Sequence, residues 1–106
     1  MLFFGPRVKN VSTTELAEKL KAGRPVLIDV REPSEYASGH VPRAINIPVG
    51  EIASRMGELD PSAETYVICQ SGRRSLRATK ALTKAGFANV SNVVGGTSAW
   101  SGKLKR

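Results

Sequence analysis

Residues 65–75 read Thr65-Tyr66-Val67-Ile68-Cys69-Gln70-Ser71-Gly72-Arg73-Arg74-Ser75. Thr65 to Cys69 are β-branched, aromatic or apolar, the composition of a strand. From Arg73 onward the period changes. Ala78, Ala81, Leu82 and Ala85 fall on one helical face, and Gly86 is placed to stop it. The stretch therefore reads as strand, short loop, helix, with the only cysteine of the chain at the carboxyl end of the strand.

The charges around that cysteine have the wrong sign for an ordinary helix start. The first amides of a helix are unpaired and its dipole places partial positive charge there, so Asp and Glu are favoured. Here Arg73, Arg74 and Arg77 occupy the first turns. An anion held in the loop would offset the conflict, and a locally broken rule of this kind marks a functional site. Gly72 removes a side chain where amides would close on such an anion. A thiol in these surroundings is expected as a stabilised thiolate, with a pKa anywhere from about 3.5 to 7.5 instead of about 8.5. Arg73, Arg77, Lys80 and Lys84 also follow i, i+4, i+7, i+11 spacing and fit one solvated helix face. Arg73 and Arg74, nearest the loop, are the pair assigned to anion binding.

Working outward, the same alternation of strand and helix recurs. Val8 to Val11 is a short strand candidate, and Ser12-Thr13-Thr14-Glu15 a capping box opening a helix over Thr13 to Ala22. Val26-Leu27-Ile28-Asp29-Val30 is apolar without alternation, as expected of a strand covered on both faces of a parallel sheet. A turn and short helix ending near Gly39 follow, then a strand at Ala44 to Ile47. Helical spacing of Ile52, Met56 and Leu59 comes next. The last strand, Val90 to Val94, leads through Gly95-Gly96 into a short helix containing Trp100. The expected fold class is α/β, a central, mostly parallel five-stranded sheet flanked by helices in three layers. In such sheets ligand sites gather at the carboxyl ends of strands.

Composition narrows the alternatives. With 106 residues, the chain is expected to form a single domain over 1–106, with 1–7 a flexible N-terminal segment and 103–106 a basic tail. No apolar run approaches the ~18 residues of a membrane span, and residues 1–6 lack the pattern of a signal peptide. One cysteine cannot form an internal disulfide, so nothing calls for an oxidising compartment, and a cytoplasmic protein is expected. One cysteine and one histidine do not make a protein-built zinc site, and neither metal nor cofactor is expected. The net charge of +7 would permit nucleic-acid binding, but the few aromatics are not interleaved with the cations, and no nucleic-acid or membrane partner is expected.

Together these segments resemble a single-domain rhodanese. Asp29-Val30-Arg31-Glu32 is similar to the D-x-R strand end of that family. Glu35-Tyr36-Ala37-Ser38-Gly39-His40-Val41-Pro42 is similar to E-[FY]-x-x-G-H-[IV]-P, and Ala44-Ile45-Asn46-Ile47-Pro48 to A-x-N-[IL]-P. Residues Cys69 to Ser75 resemble the active-site loop C-x-x-G-x-R-[ST], and Gly95 to Trp100 resemble G-G-x-x-x-W. The resemblance implies a rhodanese-like fold and thiosulfate:cyanide-type sulfurtransferase chemistry, with Cys69 carrying a persulfide.

On that reading Cys69 is the catalytic residue, and Gln70, Ser71, Gly72, Arg73, Arg74 and Ser75 form the loop that binds substrate and persulfide. Loop amides of about Gln70 to Arg74 stabilise the anion, and Arg73 and Arg74 attract the donor. The Ser71 and Ser75 hydroxyls either donate to sulfur or cap the helix. Asp29, Arg31 and His40 support the site structurally: the first two brace the loop, and Gly39-His40 holds a turn. Trp100 packs the last helix on the sheet. The partners are a small anionic sulfur donor and a cyanide, thiol or protein-thiol acceptor, since no second cysteine exists to resolve the persulfide. A monomer or weak homodimer is expected. Two alternatives stand beside this reading. One is a non-catalytic or carrier module delivering persulfide sulfur to a protein. The other is a cysteine-dependent phosphatase or arsenate reductase, whose C-x5-R pattern would need arginine where Ser75 stands.

Overall fold

A computed structural model describes residues 8–106, so the N-terminal segment 1–7 lies outside the described residues. Five strands, β1 (Lys9–Val11), β2 (Val26–Asp29), β3 (Ile45–Asn46), β4 (Thr65–Ile68) and β5 (Val90–Val93), form one sheet in the order β1-β5-β4-β2-β3. Every strand pairing among the described residues is parallel, in line with the expected α/β sheet flanked by helices. Helices α1 (Thr13–Ala22), α2 (Pro33–Ser38), α3 (Ile52–Arg55), α4 (Arg73–Lys84) and α5 (Gly96–Ala99) complete the fold.

The apolar runs without alternation are explained by what covers them. Ile28, Val30, Val67 and Cys69 face one cluster with Ile52, Ala78, Leu82 and Phe87. Leu27, Tyr66, Ile68 and Val93 face the other, with Leu16, Val41 and partly buried Tyr36 and Trp100. Consecutive residues thus serve opposite layers, and both must be apolar.

Local chemistry sets the helix ends. The Glu15 amide donates to the Ser12 hydroxyl at 3.0 Å and opens α1. At its far end Arg43, in the left-handed region at φ 77°, donates from its guanidinium to the carbonyl oxygens of Leu20 and Gly23. At α2 the Glu35 carboxylate accepts the Glu32 amide at 2.9 Å. Three elements differ from the sequence reading. Residues 49–58 are one turn of α-helix between two 3₁₀ turns, not a continuous helix; Gly50 and Gly57, two weak helix formers, fall in the 3₁₀ turns. Trp100 lies just past α5, in extended backbone, where its ring packs on the second cluster. The basic C-terminus is not free: Lys105 forms an antiparallel bridge to His40, with backbone hydrogen bonds of 2.9 and 2.8 Å.

Register brings the carboxyl ends of the central strands together. Asp29 pairs with Ile68, and the Val30 amide donates to the Ile68 carbonyl at 2.9 Å. Cys69, next along the chain, therefore emerges beside Asp29-Val30-Arg31.

Candidate active site

Cys69 follows β4, flanked in the sheet by β2 and β5, and is 1% exposed. Its Sγ accepts the Gly72 amide at 3.0 Å and lies 3.3 Å from the Ser75 hydroxyl. Gly72 has φ 109°, a left-handed conformation that glycine adopts freely, and this turns the chain back over the sulfur into α4. Burial pushes the Cys69 thiol up, but the Ser75 hydroxyl and the Ser75, Gly72 and Ser71 amides outweigh it, leaving the thiol below its ordinary range.

The loop is held from below by α5. The Thr97 amide donates to the Cys69 carbonyl at 2.8 Å, the Ser98 amide to the Gln70 carbonyl at 3.0 Å, and the Thr97 hydroxyl to the Cys69 carbonyl at 3.1 Å. Loop carbonyls are thus engaged away from the sulfur. This contact needs Gly96: a Cβ there would lie 2.4 Å from the Cys69 carbonyl oxygen and 2.6 Å from that of Gln70. The Gly-Gly pair does more than permit a tight turn; it lets one backbone rest on another.

Asp29 and Arg31 form a buried pair. The Arg31 guanidinium donates to both Asp29 carboxylate oxygens, at 2.8 to 3.1 Å, to the Gly39 carbonyl at 2.7 Å and to Gln70 Oε1 at 3.3 Å. One side chain therefore ties the end of β2, the Gly39-His40 turn and the Cys69 loop. The His40 ring stacks on Tyr36 with centroids 3.7 Å apart, and its Nδ1 is 2.8 Å from the Tyr36 carbonyl oxygen.

The two loop arginines separate. Arg74 donates to both carboxylate oxygens of Glu35 at 2.7 and 3.0 Å, joining α4 to α2. That hydrogen-bonded guanidinium, helped by the Glu32 amide and the charge of Arg31, lowers the Glu35 pKa to about 2. Arg73 is exposed and has no ion-pair partner among the described residues. It lines an open depression of about 560 Å³ with Ser71, Arg74, Leu76 and Arg77. Ser71 is exposed, while Ser75 is buried beside the sulfur and makes no helix cap.

The sequence reading missed two groups. Nothing near Glu35 in sequence points to its partner, Arg74. Asn92, on β5, accepts the Ser75 hydroxyl at 2.6 Å and donates to Asn10 at 3.1 Å, extending a chain of polar groups from Cys69 toward β1. A signal for Asn92 existed: asparagine is depleted in strands, and it interrupts Val90-Ser91-Asn92-Val93.

Comparison with known proteins agrees with this geometry. Residues 12–103 match the family described as Rhodanese-like domain. The chain is 44% identical over 99 residues to the putative sulfurtransferase YtwF of Bacillus subtilis, covering 92% of this chain and 95% of that one. It is 37% identical over 117 residues to a putative mitochondrial thiosulfate sulfurtransferase of Schizosaccharomyces pombe, covering 98% and 80%. The crystal structure of a rhodanese-like domain protein from Staphylococcus aureus superposes with a TM-score of 0.84 at 34% identity, covering 92% of this chain and 97% of that one. A sheet in this strand order, a cysteine cradled after its central strand and a match across nearly all the described residues lead to one assignment: the chain belongs to the rhodanese-like domain family.

Proposed function

We propose that this protein is a sulfurtransferase that moves a sulfane sulfur from a small anionic donor, thiosulfate, to a thiophilic acceptor through a persulfide on Cys69. The observation that carries this is the buried Sγ with polar groups converging on it: the Gly72 amide donates at 3.0 Å and the Ser75 hydroxyl lies 3.3 Å away. Sulfurtransferase names among the relatives support the reaction class.

In the first step the Cys69 thiolate attacks the outer sulfur of thiosulfate. A bond forms between Sγ and that sulfur, the sulfur–sulfur bond of the donor breaks, and sulfite departs with the electron pair. Cys69 is left as the anion Sγ–S⁻. In the second step a nucleophile attacks the terminal sulfur, and the pair returns to Sγ. This is covalent, two-stage catalysis, with donors preorganised for an anion in both resting states. Arg73, with no carboxylate partner among the described residues, is the cation that meets the donor. Arg74, joined to Glu35, holds the loop and contributes charge at longer range.

Intact mass after incubation with thiosulfate tests the reading. Wild type should gain about 32 Da, one sulfur atom, and lose it to cyanide as thiocyanate, while Cys69→Ser should gain nothing. No mass gain in wild type, together with hydrolysis of an aryl phosphate, would replace this reading with the phosphatase alternative.

A further inference from the structure

Helix α4 carries more positive charge than a small donor can use. Arg73, Arg77, Lys80 and Lys84 are all exposed, lie on one face, and have no ion-pair partner among the described residues. No acidic residue occurs anywhere in Arg73–Lys84. Solvated helices normally mix signs, because opposite charges three or four residues apart stabilise and like charges destabilise. Helix α1 follows that pattern, with two glutamates and two lysines. In α4 the spacing makes every neighbour on the stripe a like charge. The eleven steps from Arg73 to Lys84 extend about 16 Å along the axis, at ~1.5 Å per residue. A dianion bound at the loop reaches only the Arg73 end.

We propose that this face of α4 docks an acidic protein segment whose cysteine is the sulfur acceptor, with its thiol reaching the Cys69 loop past the depression lined by Ser71, Arg73, Arg74, Leu76 and Arg77 and its carboxylates lying along Lys80 and Lys84. The inference rests on the sulfurtransferase reading and names its acceptor. Burial of Cys69 fits: a thiol presented on a protruding segment reaches a sulfur that a flat surface does not. Transfer is balanced, Cys69–S–S⁻ and R–SH giving Cys69–S⁻ and R–S–SH. One sulfur–sulfur bond breaks, another forms, and the thiol proton leaves on the product persulfide. A nucleic-acid occupant is disfavoured because the stripe offers no aromatic side chain for a base to stack on.

The test uses two synthetic peptides of equal length with a single cysteine, one flanked by glutamates and the other by glutamines. With persulfide-loaded protein at about 20 mM salt, sulfur transfer should favour the acidic peptide at least about tenfold, and the preference should collapse at about 0.5 M salt. In a Lys80→Glu/Lys84→Glu variant the preference should disappear while thiosulfate-to-cyanide transfer is unchanged. Fluorescence anisotropy with the acidic peptide carrying serine for cysteine reads docking without any persulfide. Tighter binding to wild type than to the variant is expected. Equal transfer to both peptides, or binding indifferent to the substitutions, would overturn the proposal. So would an oligouridylate that displaces the acidic peptide at lower concentration than the peptide itself requires. Absence of persulfide with intact peptide binding would instead count against the sulfurtransferase reading alone.

Discussion

Ser75 has one hydroxyl proton and two acceptors for it. Asn92 Oδ1 takes it at 2.6 Å, while Cys69 Sγ lies at 3.3 Å from the same oxygen. With a neutral thiol there is no conflict, since S–H can donate to Ser75 as Ser75 donates to Asn92. An ionised sulfur needs the proton turned toward it. Asn92 thus competes with the anionic sulfur, and the competition can be shifted. Asn92→Leu removes the rival acceptor and should lower the Cys69 pKa by about 0.7 unit, from a net hydrogen bond of ~1 kcal/mol. Asn92→Asp, acceptor-only and anionic, should raise it by about one unit or more. Absorbance of the thiolate near ~240 nm against pH measures both: with one cysteine in the chain the thiolate has a single source, and the two tyrosines, which absorb there when ionised, titrate at higher pH. Identical midpoints in wild type and both variants would show that Ser75 does not divide its proton between them.

Elements act here through their ends. The start of α5 supports the floor of the Cys69 loop only because Gly96, at φ 60°, has no side chain between it and the Cys69 and Gln70 carbonyls. Gly86, after α4, also has positive φ, 104°, but nothing lies within 4 Å of where its Cβ would be. The two glycines separate backbone strain from collision. Gly86→Ala should cost about 1 kcal/mol in denaturant unfolding and leave sulfur transfer intact. Gly96→Ala should cost about 2–4 kcal/mol and reduce transfer at least about tenfold, because the loop itself must move. Equal effects of the two would contradict this account of the loop.

The link between α2 and α4 has a pH signature. Glu35 titrates at about 2 in the fold instead of 4.5. A depressed carboxylate stabilises above its unfolded pKa, and that contribution disappears as pH falls through the folded value. The Arg74–Glu35 pair should therefore contribute fully above about pH 5 and vanish toward pH 2, by no more than about 1 kcal/mol because both side chains are partly exposed. The stability gap between wild type and Arg74→Gln should close over that acid range. A gap that does not vary with pH would mean the pair is not its source.

At the scale of the molecule, what could be read from the sequence was whatever has a local cause. Val26 to Val30 is apolar throughout because both faces of the sheet are covered, and that pattern reports the layers directly. Ser12 sits next to the helix it caps. The Cys69 loop fits within seven residues, so its spacing carries its geometry. Long-range pairing left no such trace. Arg74 and Glu35 are 39 positions apart, and nothing near the arginine in sequence identifies its carboxylate. The bridge from Lys105 to His40 was hidden because backbone pairing between distant segments leaves side-chain types unconstrained. Asn92 announced itself only as a misfit in a strand. The fold was therefore more legible than the polar contacts that tune its site.

All of this depends on the folded chain favouring negative charge on the sulfur of Cys69, despite burying it. The direct measurement is the thiolate absorbance titration of wild type, folded and in denaturant. The folded midpoint should lie below the unfolded one, which should fall at about 8.5. A folded midpoint equal to or above the unfolded value would mean that burial prevails over the Gly72 amide and the Ser75 hydroxyl, and would contradict this.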